Sequence, residues 1–90
     1  MTKLEEVYIT GNKISNIEML SSLVQIKALG MGANLIEDIS AIYSLAYLEF
    51  IDVREDCITD FSPIEYLKEN GNLKTIYGDS AEEQDYARCQ

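Results

Sequence analysis

Histidine is absent from this chain of 90 residues, and cysteine occurs only twice. The absence of histidine removes the commonest general base, the commonest transition-metal ligand and the usual partner of a nucleophilic serine or cysteine. A nucleophile elbow and a phosphate-binding loop are also missing, so the sequence offers no catalytic constellation. We therefore predict that the protein is not an enzyme and holds no metal or other cofactor.

The two cysteines, Cys57 and Cys89, match neither a metal-binding motif nor a disulfide framework. We interpret both as free thiols in a reducing compartment, and Cys57 as chemically inert. No apolar run approaches the ~18 residues of a membrane span, and the first residues lack a signal-peptide pattern. Together these absences predict a cytoplasmic protein.

Basic residues are scarce as well, since 7 of them stand against 16 acidic residues and give a net charge of −9. The excess is concentrated in residues 46–90, where eleven acids and four bases give −7. Such a field repels nucleic acids and anionic lipids and attracts basic protein surfaces. We therefore expect no direct binding of nucleic acid or membrane. The alternative is that the acids only maintain solubility.

What the sequence does contain is a repeat of 22 residues. It runs through the ranges 4–25, 26–47 and 48–69, and a partial fourth repeat at 73–79 precedes an acidic segment at 80–90. Each repeat begins with apolar residues that alternate, as in a strand, and continues with apolar residues spaced by three, as in a helical or 3₁₀ turn. A fixed period of this length indicates a solenoid, here one domain whose last segment is a cap or a disordered tail.

The pattern L-x-x-L-x-L-x-x-N-x-I-x-x-I-x-x-L-x-x-L resembles a leucine-rich repeat, most closely the 22-residue internalin-type class of bacteria. The resemblance covers about residues 4–78. It implies a short right-handed α/β solenoid with a parallel concave sheet of about four strands and convex 3₁₀ or short α turns. It also implies a structural ladder in which Asn12 and Asn34 bind the backbone of adjacent turns. Asp56 replaces the third asparagine, and because a carboxylate only accepts hydrogen bonds we expect a weaker or more exposed rung.

The side chains between the buried strand positions are predicted to point to the concave surface. Gly30 and Gly32 leave the second strand almost bare between Tyr8 and Phe50, which predicts a shallow groove with aromatic walls. The alternative is that the glycines only ease the curvature of the sheet. Aromatic residues and arginine are enriched at binding hot spots. The predicted partner-binding residues are Glu6, Tyr8, Gly30, Gly32, Phe50, Asp52, Arg54, Tyr77 and Asp79.

The resemblance implies a non-catalytic module of bacterial or phage origin that binds a protein partner through its concave face. One alternative is a small acidic inhibitor, of phage or mobile-element type, that blocks a basic nucleic-acid-binding enzyme. Another is a self-assembling structural subunit. This second alternative rests on the first repeat. Few residues precede Leu4, so the outer sides of Val7 and Ile9 are predicted to be uncovered, which favours a homodimer through this end.

Overall fold

The structure is a computed structural model that describes residues 5–89. Leu4, at the predicted open end, and Gln90, at the end of the predicted cap, lie outside the described residues. Four short strands form one parallel sheet in the order β1-β2-β3-β4. Their bounds are β1 Glu6–Tyr8, β2 Ala28–Gly30, β3 Phe50–Asp52 and β4 Thr75–Tyr77.

Helical turns connect consecutive strands on the opposite side of the molecule. The first two are 3₁₀ helices, Glu18–Ser22 and Ser40–Ser44, and the third is a longer α-helix, α1, Ser62–Asn70. An asparagine or aspartate side chain accepts the hydrogen bond of a backbone N–H at the start of each turn, as Asp38 does from Ser40 at 2.8 Å. Within the described chain, no helix is both long enough and apolar enough to cross a membrane.

The strand register follows the spacing of the sequence. Glu6, Ala28 and Phe50 stand in one row at intervals of 22 residues, and Phe50 pairs with Thr75 after an interval of 25. The longer third interval contains α1 and the loop that follows it. This arrangement of a parallel four-stranded sheet and 3₁₀ or α turns confirms the predicted α/β solenoid.

The core lies between the sheet and the helical turns. Leu29 and Ile51 on the inner face of the sheet and Met31 just after β2 are fully buried, and burial of each such side chain contributes ~1.5–3 kcal/mol. The corresponding residues of β1 and its following loop, Val7 and Ile9, are only partly buried. The first repeat is therefore the least covered part of the described core.

Side chains from adjacent repeats form a continuous ladder. The Oδ1 atom of Asn34 accepts hydrogen bonds from the backbone N–H groups of Asn12 and Ile14 at 3.0 and 3.2 Å. The Asn34 amide group donates to the carbonyl of Ile9 at 2.9 Å. One repeat later, Oδ1 of Asp56 accepts from the N–H groups of Asn34 and Ile36. Asp56 is fully buried, so this rung is not more exposed than the others.

The segment after β4 folds onto the third repeat and provides a further rung that the repeat pattern does not predict. It contains two 3₁₀ helices, Ala81–Glu83 and Tyr86–Cys89, with Gln84 between them. Oε1 of Gln84 accepts from the N–H of Ile58 at 3.0 Å, and its amide group donates to the carbonyl of Val53 at 2.9 Å. Gln84 thus bonds to the third repeat as Asn34 bonds to the first repeat through Ile14 and Ile9. We call residues 79–89 the cap.

A disulfide joins Cys57 to Cys89 and ties the cap to the third repeat. The prediction of two free thiols is therefore wrong. The sequence reasoning missed the pairing because the residues are 32 positions apart and belong to no repeated motif. Folding of the cap onto the solenoid end brings the two Cα atoms to 6.1 Å, within the usual range for a disulfide. The cytoplasmic prediction, which depended in part on reduced cysteines, loses that support.

Candidate functional site

The candidate site is the outer face of the sheet, opposite the core. Because successive strand residues point to opposite faces, the burial of Leu29 and Ile51 turns their neighbours outward. Two rows of residues result. One contains Glu6, Ala28, Phe50 and Thr75, and the other contains Tyr8, Gly30, Asp52 and Tyr77. The rings of Tyr8 and Tyr77 stand at the two ends of the second row, 60% and 43% exposed.

Asp52, Arg54, Tyr77 and Phe50 form a connected cluster at the β3–β4 side of this face. The Arg54 guanidinium donates from Nε and Nη2 to the two carboxylate oxygens of Asp52 at 3.1 and 2.9 Å. Its central carbon also lies 4.9 Å from the centre of the Tyr77 ring. The Tyr77 ring meets the Phe50 ring edge to face, with centroids 5.8 Å apart. The cluster is therefore held together by contacts within the chain.

The bidentate contact also fixes the charges of the two residues. The side-chain hydrogen bonds from Arg54 lower the pKa of the Asp52 carboxyl, although partial burial opposes this effect. The same hydrogen bonds raise the pKa of Arg54. Both groups are consequently ionised at neutral pH, and their charges compensate each other.

The bare groove predicted over the second strand is partly filled. A Cβ atom placed on Gly30 would lie 2.6 Å from Cδ1 of Tyr8, so the tyrosine ring leans over the glycine. The sequence predicted that Tyr8 forms a wall beside an open groove. In the structure its ring instead covers Gly30 of this strand. The physical reason is contact area, because a flat ring packs closely on a residue without a side chain.

Gly32 lies beyond the end of β2 and lines a small cavity. A Cβ atom there would come within 3.1 Å of the Arg54 carbonyl oxygen and 3.5 Å of Asp52 Oδ1. The cavity has a volume of about 190 Å³ and is lined by Thr10, Gly32, Ala33, Asp52, Arg54 and Glu55. The space left open on this face is thus displaced toward the strand ends, and it is mostly polar.

The remaining predicted residues mark the margins of the face. Glu6 is exposed on β1, at the edge of the sheet, and Asp79 is half-buried where the chain leaves β4 for the cap. Neither contacts the central cluster through a hydrogen bond or an ion pair among the described contacts. Within residues 5–89, no group of three or more cysteine, aspartate or glutamate side chains is placed to hold a metal ion.

Comparison with known proteins gives a fold likeness. No protein-family model and no curated protein matches the chain. Among solved structures, it is similar to an internalin (InlF) from Listeria monocytogenes, with 35% identity over 82% of this chain and a TM-score of 0.74. It is also similar to internalin C2 from the same species, with 23% identity over 73% of this chain and a TM-score of 0.67. The chain spans only 21% and 28% of these two proteins. The likenesses support a leucine-rich-repeat fold.

Proposed function

We propose that this chain is a non-catalytic protein-interaction module of the internalin-like type, which binds a protein partner through the outer, concave face of its sheet. The observation that carries the proposal is the group of aromatic rings and one arginine on that face, in which Tyr8 and Tyr77 are exposed and Phe50 is half-buried. Tyrosine and arginine are enriched among the residues that supply most binding energy at interfaces. The internalin-like fold supports the same general role.

The cluster is preorganised, which favours binding. Arg54 is fixed by two hydrogen bonds to Asp52 and by the ring of Tyr77. An immobilised side chain with many rotamers otherwise costs ~0.5–1.5 kcal/mol when a partner orders it. Since that ordering has already taken place within the fold, more of the contact energy is available for affinity.

The size of the face sets a limit on what it can do alone. Four strands spaced by ~4.8 Å span only ~15–20 Å. A standard protein interface buries ~800 Å² on each partner. We therefore expect the loops that follow the strands, including Thr10, Arg54 and Asp79, to extend the contact. Asp79 belongs to the proposed interface for this reason.

The decisive experiment compares two variants against one partner. The Tyr8→Ala/Phe50→Ala double variant removes rings from both rows of the face, whereas Tyr47→Ala removes a tyrosine that is 56% exposed in the turn after the second 3₁₀ helix. A partner isolated by cross-linking to the wild-type chain is then titrated against each variant. We expect the double variant to lose binding and Tyr47→Ala to retain it, with both chains folded by circular dichroism. Equal affinity of the two variants would refute the proposed face.

The first repeat favours a second candidate, association of two chains through that end. Val7 and Ile9 are only partly buried there, and Met19 and Val24 in the same repeat are 62% and 46% exposed. Pairing would cover this apolar surface. Sedimentation velocity at increasing concentration tests the candidate, and a Val24→Lys variant should shift any dimer toward monomer. A monomer at all concentrations would exclude it.

The disulfide bears on where the module works. Disulfides form and persist in oxidising environments and are rare in the cytosol of most organisms. The Cys57–Cys89 bond therefore favours an oxidising compartment over the predicted cytoplasmic location. Alkylation of free thiols in cells before lysis, followed by mass spectrometry, distinguishes the two. Recovery of both cysteines in alkylated form would restore the cytoplasmic interpretation.

A further inference from the structure

We infer that the concave face takes a basic segment of its protein partner, with an arginine or lysine side chain stacked on Tyr8. This inference rests on the function proposed above and specifies the chemistry of the partner. Three observations support it: Arg54 already stacks on a tyrosine of this face, the ring of Tyr8 is exposed, and the charge around the face is negative.

The internal example is Arg54, whose guanidinium lies over the face of Tyr77 at 4.9 Å from the ring centre. A cation within about 6 Å of an aromatic centroid is attracted by the ring electrons. The sheet thus already presents one tyrosine in a position that accepts a cation. Because Asp52 compensates the charge of Arg54 through two hydrogen bonds, this arginine leaves little net positive charge to repel another cation.

The open ring is Tyr8, which occupies the opposite end of the row that ends in Tyr77. One side of the Tyr8 ring leans over Gly30, and the side chain is still 60% exposed. The cation–ring contact among the described residues joins Arg54 to Tyr77 and does not involve Tyr8. Tyr8 is therefore available to a cation supplied by another molecule.

The charges around the face have the complementary sign. Glu6 is exposed beside Tyr8 on β1, and Glu55 lines the cavity next to Thr10, where the charges of Asp52 and Arg54 offset each other. The chain as a whole carries −9. An acidic segment would be repelled by this field, whereas a basic one is drawn toward the face.

The experiment uses ¹⁵N-labelled chain and three synthetic octapeptides in which alanine alternates with arginine, glutamine or glutamate. We expect the arginine peptide to shift the amide signals of Tyr8, Thr10, Gly30 and Gly32, and the other two peptides to leave them unchanged. Raising the salt from 50 to 300 mM should weaken the binding several-fold, because exposed charges are screened. Shifts that avoid the concave face, or equal binding of the glutamine or glutamate peptide, would overturn the inference.

Matched variants separate a specific contact from general attraction to an acidic protein. Tyr8→Ala should weaken the arginine peptide about two- to fivefold, as expected for an exposed cation–π contact, and Tyr47→Ala should not. Glu6→Gln and Glu69→Gln change the net charge equally, but only Glu6 lies on the concave face, since Glu69 is on α1. Equal weakening by the two glutamate variants would show that the attraction is general, which contradicts the inference.

The two proposals fail in different ways. A cross-linked partner that still binds the Tyr8→Ala/Phe50→Ala variant refutes the proposed function, and this inference with it. A partner that is lost with that variant, but whose affinity is indifferent to salt and to Glu6→Gln, leaves the function standing and overturns only the basic chemistry assigned here.

Discussion

Opening the Cys57–Cys89 bond is expected to destabilise the chain substantially. The bond closes a loop with a sequence separation of 32 residues. In the chain-entropy description, a loop of about 32 residues removes ~12 cal/mol/K from the unfolded state, which corresponds to ~3.7 kcal/mol at 25 °C. Native proteins of this size are stable by only ~5–15 kcal/mol, so the bond accounts for a large share of the total.

The assay is urea unfolding of the oxidised and the reduced wild-type chain, followed by circular dichroism. With a urea dependence of about 1–3 kcal/mol/M, the unfolding midpoint should fall by ~1–4 M on reduction. The Cys57→Ala/Cys89→Ala variant serves as the control, because its midpoint should not respond to the reductant. Complete reduction without a change in midpoint would refute the entropic argument. Two free thiols in the oxidised sample would refute the bond itself.

Reduction should also act locally. The N–H of Glu55 bonds to the carbonyl of Glu83, and the N–H of Ile58 bonds to Gln84 of the cap. If the cap detaches more readily once the disulfide opens, these two amides should exchange with solvent faster than before. The amide of Ile26, whose hydrogen bond to the Leu23 carbonyl involves no cap residue, should change only with global unfolding. Equal acceleration at all three sites would mean that the cap does not open on its own.

Three further predictions concern single residues. Gln84→Ala leaves a buried backbone N–H without its acceptor and should cost ~1–3 kcal/mol in urea unfolding, whereas Gln25→Ala at an exposed turn should be nearly neutral. Gly78→Ala should lower the free energy of unfolding more than Gly11→Ala does. Both glycines have a positive φ (98° and 81°), but only at Gly78 would the new Cβ meet backbone, at 2.6 Å. Equal losses of stability would mean that the strain of a positive φ alone sets the effect. The hydrogen bonds from Arg54 should hold the pKa of the Asp52 carboxyl below the ~3.9 of an unfolded chain. The stability that this carboxylate contributes is therefore complete above about pH 3.9 and is lost as the pH falls through the lower pKa of the folded state. A ¹³C-NMR titration midpoint at or above ~3.9 would contradict this prediction.

Much of the fold could be predicted because the repeat ties local pattern to global position. In a solenoid, each repeat contacts its neighbours, so a period of 22 residues fixes which strand residues pair. Val7, Leu29 and Ile51 fall in one row of the sheet as that period requires. The ladder was implied by the resemblance to leucine-rich repeats, and in the structure Asn34, one period after Asn12, accepts the backbone N–H of Asn12.

The cap could not be predicted in this way, because it ends the repeat. Gln84 performs the work of a ladder asparagine from a position outside the period, with a side chain that is one methylene longer. Cys89 has no counterpart in earlier repeats, and its distance to Cys57 depends entirely on how the cap folds back. Gly78 interrupts the apolar pattern of its repeat. Only the structure explains why a glycine stands there, because the backbone of Arg54 approaches it too closely for a side chain.

The sequence predicts which residues lie on the concave face but not how their side chains are arranged there. Strand alternation alone places Tyr8, Gly30, Asp52 and Tyr77 in one row. Rotamers decide the rest, and nothing in the strand pattern states that Tyr8 leans over Gly30 or that Arg54 turns back to Asp52. Contact area explains the position of the Tyr8 ring, whereas two hydrogen bonds to the Asp52 carboxylate explain that of Arg54.

The two halves of the face differ in what supports them. Tyr77 and Arg54 lie next to the residues that the cap holds, since Gln84 donates to the carbonyls of Gly78 and Val53. Tyr8 stands on β1, three strands away, where the cap makes no described contact. The preformed half of the face is thus the half next to the disulfide-linked end, and the half left open for an incoming cation is next to the least covered repeat. A partner that engages both halves would therefore contact one side chain already fixed by neighbours and one exposed ring on the same sheet.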